Sequence, residues 1–208
     1  MHEYRWLKFH LITYYYSVLR NHDYVFFLFF AGSNVFNLVI QSANERSLWN
    51  TEAVRDLCEL ESYVMRAASY VNTDCKPISL ATQIGILRDK TCDNLEDVDV
   101  RRSLSLLLNC SYYYNNGLLK EDCTPTSCPG VPTSCTKHGT VYFILHFLTD
   151  SNFMSTSGHL AYTNLPIPLL PDQSVLSFYL NVLENRTLNT NAIRVAGIDS
   201  VLKNSLFS

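Results

Sequence analysis

The sequence predicts an α+β sandwich of split β-α-β topology, on three observations. Short runs rich in β-branched residues alternate with longer runs whose apolar residues recur at helical spacing. The chain is 208 residues long, 47% apolar and only 17% charged, which suits one domain with a real core, or two small ones, and argues against disorder. No internal repeat or low-complexity linker breaks that order, so strands and helices are expected to share a layered core.

Taken in order, residues 35–43 (VFNLVIQSA) put Phe36, Leu38 and Ile40 on one face and Val35 and Val39 on the other. That is the pattern of a strand buried on one face and largely on the second. After a polar turn, Asn50 is placed to cap a helix in which Val54, Leu57, Cys58, Val64, Met65 and Ala68 recur at helical spacing. Residues 74–79, with Cys75 and Pro77, read as a loop. Residues 95–114 form a second amphipathic helix, with Leu95, Val98, Leu104, Leu107 and Leu108 inward and Arg101 and Arg102 outward. Asn115, Asn116 and Gly117 end it, because they tolerate the left-handed conformation.

Beyond a cysteine-rich loop, Val141, Ile144, Leu145 and Leu148 stand at i, i+3, i+4 and i+7, so residues 140–150 are expected to be helical. Residues 160–171 (LAYTNLPIPLLP) are extended, since Pro166, Pro168 and Pro171 forbid a helix interior and allow an edge strand at best. A short helix is expected over residues 175–185 and a final strand over residues 192–198.

The stretch EDCTPTSCPGVPTSCTKH crowds Cys123, Cys128 and Cys135 together. Zinc would need four ligands at short paired spacings, and x4 followed by x6 fits poorly even with His138 as a fourth. Cys58, Cys75, Cys92 and Cys110 are scattered singly, as staples between distant segments would be. Asn109-Cys110-Ser111 and Asn185-Arg186-Thr187 are N-glycosylation acceptor motifs. Together these features point to disulfides and an oxidising compartment, with no metal. Seven cysteines leave one to stay free, to pair with another chain, or to pair with a missing part of this one.

Other classes are weakened. A net charge of −3 offers no basic field for nucleic acid. The most apolar run, residues 24–32 (YVFFLFFAG), is far shorter than the about 20 residues of a spanning helix. It reads as a buried strand or part of a mistaken N-terminus and, less well, as a signal-peptide core, since an acid precedes it and its lead is long. No G-x-S-x-G, H-E-x-x-H or Gly-rich phosphate loop accompanies the histidines. His146 is expected at the edge of the core. Glu59 and Glu61, like Asp97 and Asp99, are two apart and point in different directions on a helix. Neither catalytic residues nor a cofactor are expected. Of the tyrosines at 112–114, Tyr113 is expected to pack inward while its neighbours sit at the surface.

Four segments carry a resemblance: ERSLWNTEAVRDLCELES, CDNLEDVDVRRSLSLLLNCSYYYNNGLLKEDC, VPTSCTKHGTVYFILHFLTDSNFM and VAGIDSVLKNSLF. In that order they resemble the first extracellular domain of the Dispatched family, one branch of the resistance-nodulation-division transporters that include Patched. The resemblance covers residues 35–208 and most cysteine positions, and leaves residues 1–34 as an unmatched apolar and aromatic segment. It implies a ferredoxin-like split β-α-β extracellular domain with a disulfide-rich helical insertion, placed between two membrane helices. It further implies a route through the secretory pathway to the extracellular face of the plasma membrane. The function implied is a part in releasing cholesterol-modified Hedgehog. Lipid-modified Hedgehog and the transporter's second extracellular domain are the partners implied. The family's sterol-sensing helices are not in this sequence, so the chain reads as a fragment from which no transport is expected. The competing reading is a secreted disulfide-rich binding module unconnected with transport.

Helix geometry constrains the staples. Cys92 and Cys110 flank a helix and stand about 27 Å apart at 1.5 Å per residue, too far for a disulfide. Cys123, on the returning chain, is the expected partner of Cys110, and Cys75 that of Cys58. Cys92, Cys128 and Cys135 then compete for one bridge. Asn185, in a polar stretch, is expected to carry glycan more fully than Asn109, which sits on a helix beside a bridged cysteine.

Overall fold

The computed structural model describes residues 35–43, 46–67, 78–124, 126–150, 152–168 and 189–200. Its centre is β1 (Val35–Ser42), flanked by β2 (Tyr162–Pro168) and β3 (Ile193–Ser200) in the order β2-β1-β3. Both neighbours pair antiparallel with β1, through registers such as Ile40 with Thr163 and Ile40 with Val195. β2 and β3 therefore run parallel to one another with β1 between them. A bulge between Val39 and Ile40 shifts the β3 register, so that Val39 faces Gly197 while Ile40 faces Val195.

Side-chain alternation explains which face is covered. Leu38 and Ile40 of β1, and Thr163, Leu165 and Ile167 of β2, are buried, whereas Tyr162 and Asn164 are exposed. The Thr163 hydroxyl donates to Leu148 O at 2.8 Å, which satisfies a polar group inside the core. β2 lies at the sheet's edge, as its two prolines require, because neither has an N–H for a second ladder.

The helices cover the inner face. α1 (Thr51–Ala67) starts where Asn50 Oδ1 accepts the Ala53 N–H at 2.9 Å, the cap expected from the sequence. Its buried side is Ala53, Val54, Leu57, Cys58, Leu60, Glu61 and Val64. Glu52 in the first turn and Arg66 in the last both suit the helix dipole.

α2 (Leu80–Arg88) is an addition to the elements expected above. Ser79 caps it by accepting the Thr82 N–H at 3.1 Å, and Asp89 closes it in the left-handed region at φ 54°. Lys90 N–H then returns to Gly85 O at 3.0 Å. A Cβ at position 85 would meet Lys90 O at 2.6 Å, so only glycine allows that close return.

α3 (Asp97–Asn115) follows a 3-10 turn at Cys92–Asn94. Asp99 Oδ2 accepts the Glu96 N–H at 3.0 Å and pairs with Lys90 at 2.7 Å. Gly117, at φ 67°, follows the helix end, as the Asn-Asn-Gly run predicts. α4 (Thr140–Phe143) runs on directly into a π-helical turn, Ile144–Leu148, marked by the bond from Thr149 N–H to Ile144 O at 3.1 Å.

The expected strand at 24–32, the helix at 175–185 and the end of the chain lie outside the described residues. Among those described, no helix is long and apolar enough to cross a membrane.

Candidate functional site

The sequence singled out the cysteines, and the structure joins six of the seven. Cys58 on α1 is bonded to Cys92 in the 3-10 turn, with Cα atoms 5.8 Å apart. Cys110 on α3 is bonded to Cys135, in the turn Thr133–Cys135, at 5.6 Å. Cys123 and Cys128 close a local ring at 5.3 Å. Cys92 and Cys110 are not joined, as helix length requires.

The pairings expected for Cys58 and Cys110 are both corrected. Cys123 is drawn into a tight turn, where Lys120 N–H donates to its Sγ at 3.0 Å and Cys128 N–H donates to Thr124 O at 3.2 Å. That turn brings Cys128 to Cys123 and leaves Cys110 to the cysteine that follows the prolines. Cys58 faces the 3-10 turn ahead of α3 and so meets Cys92, while Cys75 lies outside the described residues. The three sulfurs of the loop are all committed to disulfides, so they leave no thiolate there for zinc. Among the described residues, no three ligating side chains gather as a metal site.

Asn109 is exposed on α3, next to the bridged Cys110. The Ser111 hydroxyl of its motif donates to Leu108 O at 2.7 Å. Asn185 lies outside the described residues.

Beyond Cys110, the end of α3 meets α4 and the π-helical turn in a cluster of rings. Tyr114 Oη and His146 Nδ1 are hydrogen-bonded at 2.8 Å. Tyr142 stacks on the imidazole with centroids 5.2 Å apart and planes 14° from parallel, and Phe147 meets it edge-on at 4.5 Å. Burial raises the Tyr114 phenol above its ordinary value. Burial also pushes Tyr142 up to about 12, helped by Tyr114, Glu121 and Asp122. Both phenols keep their protons at neutral pH, and the imidazole tautomer sets which partner of the Tyr114–His146 bond donates. Glu121, on the chain leaving α3, is pushed up to about 7 by burial and by Asp122.

His146 sits half-buried at the core's edge, where the sequence put it, and Tyr113 is half-buried. Tyr112 is 63% exposed. Tyr114 corrects the expectation for its neighbours, because it turns inward to the histidine instead of resting on the surface. The two acid pairs diverge as helical spacing requires: Glu61 and Asp99 are buried, Glu59 and Asp97 exposed. What the sequence reasoning missed is the Tyr114–His146 bond, which joins residues 32 positions apart and leaves no local signal.

No family model matches the chain. Named relatives do. The protein from Mus musculus named Protein dispatched homolog 1 is 30% identical over 194 aligned positions, covering 82% of this chain and 13% of the relative. Protein dispatched homolog 2 from Homo sapiens is 30% identical over 192 positions, covering 81% of this chain and 14% of the relative. Protein dispatched from Drosophila melanogaster is 26% identical over 175 positions, covering 78% and 14%. The chain thus spans about 13% of the length of the curated relatives it matches. With a stapled α+β architecture and identities spread over four fifths of its length, the chain is a homologue of the Dispatched proteins.

Proposed function

We propose that this chain acts as an extracellular domain of a Dispatched-like membrane transporter that takes part in releasing cholesterol-modified Hedgehog. The observation that carries the reading is the match to Dispatched proteins from mammals and fly, over about four fifths of the chain. Three disulfides suit the oxidising side of the membrane and the secretory route to it. The domain works by folding and contact, with no catalytic centre of its own. Its partners are the lipid-modified ligand and the second extracellular domain of the same transporter. Asn185 carries glycan more fully than Asn109, whose Ser111 hydroxyl is already engaged.

The finer fold we assign is ferredoxin-like. Two parallel strands with an antiparallel strand between them form the sheet of a split β-α-β unit.

Moving a lipidated ligand out of a bilayer needs spanning helices for the path and ionisable groups held in the membrane for the driving force. The domain alone is therefore inactive in release. The experiment replaces the aligned segment of the mouse relative with this domain, in Hedgehog-producing cells that lack the relative. Cholesterol-modified Hedgehog returns to the medium with the chimera and not with residues 1–208 behind a signal peptide. Release by the isolated domain at the level of the intact relative would make it a soluble lipid-shielding carrier instead. A chimera that reaches the surface and releases nothing would sink the shared function.

A further inference from the structure

Glu61 lies where α1 meets α2 and is 2% exposed. Its Oε1 accepts the Thr82 hydroxyl at 2.8 Å, and its Oε2 accepts the Thr82 hydroxyl at 2.9 Å and the Ser79 hydroxyl. Ser79 is also the N-cap of α2, holding the Thr82 N–H at 3.1 Å. The carboxyl is thus bonded into the first turn of α2 through both residues that fix it.

No counter-charge reaches Glu61 among the described residues. Its neighbours one turn away on α1 are Leu57, Cys58, Val64 and Met65. At the far end of α2 the charged groups have other partners: Arg88 bonds Ser103, Lys90 pairs with Asp99 of α3, and Asp89 pairs with Lys137. β2 turns Thr163, Leu165 and Ile167 inward and β3 turns Ile193, while Arg194 and the turn's Asp93 are exposed. A carboxylate taken from water without a cation is disfavoured, so the neutral acid is the form this interior accepts.

We propose that Glu61 is a proton-binding site built into the α1–α2 contact, which secures the first turn of α2 when protonated and loosens it when ionised. Both hydroxyls donate to the carboxyl oxygens here; when the acid is neutral one of its oxygens donates instead, and one hydroxyl turns to accept that proton. Burial pushes Glu61 up to about 7 from 4.5, against the pull of the hydroxyl bonds. For an acid raised on folding, the stability contribution is complete below about 4.5, declines as pH rises, and is gone above about 7. A separation of that size corresponds to a change on the order of 100-fold in the folding equilibrium. Asp99, held low chiefly by its Lys90 bond, acts in the opposite sense and only as pH falls below its ordinary 3.8, outside this window. Glu121 titrates in the same window but is common to both proteins in the comparison below.

The test compares the full chain with Glu61→Gln, which keeps the shape and removes the titration. Urea unfolding between pH 5 and pH 8.5 should show the wild-type folding constant falling by up to about 100-fold and the variant's falling much less. The variant is then the more stable protein at pH 8.5. Amide exchange of α2, corrected for intrinsic rates, should quicken with pH in the wild type alone. Equal pH slopes for the two proteins would overturn the proposal. If the variant does not fold, carbon NMR of the wild-type Glu61 carboxyl decides: a midpoint near 7 supports the site, and one near 4.5 removes it.

Discussion

Along β1 two consecutive inward side chains, Leu38 and Ile40, have no exposed surface, and Val54, Leu57 and Val64 of α1 join the same core. Between Leu118 and Gly139 the chain is longer, yet the apolar side chains it buries besides its cysteines are, among the described residues, Leu119 and Val131. Ordering each residue costs about 1–2 kcal/mol of backbone entropy, which strand residues offset by burial and ladder bonds. The loop has little of either. Its order rests on short side-chain bonds, such as Thr124 N–H to Ser127 Oγ at 2.8 Å, and on two disulfides. A disulfide acts mainly by narrowing the unfolded chain's freedom, so it serves where a core cannot be built. The sheet is stabilised in the folded state and the loop largely through the unfolded one.

The largest effect should come from the sheet. Ile40 pairs with both flanking strands and is fully buried, so Ile40→Ala should cost about 4 kcal/mol, the transfer loss plus the cavity. Denaturant unfolding of the full chain measures it, and the loss should be the same with and without reductant once the disulfide contribution is subtracted. A loss under about 1 kcal/mol would mean that the sheet is not the centre of stability.

Next comes the staple between α3 and the loop. Cys110 and Cys135 are 25 positions apart, and removing both with Cys110→Ala and Cys135→Ala should cost about 3 kcal/mol. The comparison predicts more than a number. Hydrogen exchange should quicken across residues 118–136 while the β1 amides keep their protection, because the two regions draw on different sources of order. Loss of protection in both together would show one cooperative unit and break the distinction.

The sequence shows the same divide. β1, β2 and α1 were legible because each has one buried side and a local signal of its own: alternation, prolines at an edge, an Asn cap. α3 was legible from its apolar spacing and its Asn-Asn-Gly end. α2 was not, since six of its nine residues are buried, Gln83 and Gly85 among them, and no polar face sets a helical period. Its Ser79 cap and terminal Arg88 were signals, though weak ones beside the Pro77 loop. The cysteines were recognised as staples, but two pairings failed for a physical reason. Chain proximity favoured Cys123 for Cys110, and the turn at Lys120–Cys128 had already claimed it. The ring cluster depends on how α3 crosses the π-helical turn, which no local pattern encodes.

That crossing also gives the smallest expected effect. Tyr114 lies one helical turn beyond Cys110, so the staple and the Tyr114–His146 bond fasten the same helix end. If the disulfide already holds α3 against the loop, the hydroxyl adds only the net value of one partly buried hydrogen bond. Tyr114→Phe keeps the ring that packs against Tyr142 at 5.7 Å and removes only the hydroxyl bonded to Nδ1. The expected cost is about 1 kcal/mol by denaturant unfolding with the disulfides intact. Combined with Cys110→Ala and Cys135→Ala, the same change should cost more than the separate losses predict, since the bond would then be the remaining tie at that end. Strict additivity would show that staple and hydrogen bond act on separate parts of α3. A cost for Tyr114→Phe above about 2 kcal/mol would show that Nδ1 finds no replacement for the hydroxyl, and that the cluster, more than the disulfide, anchors the helix.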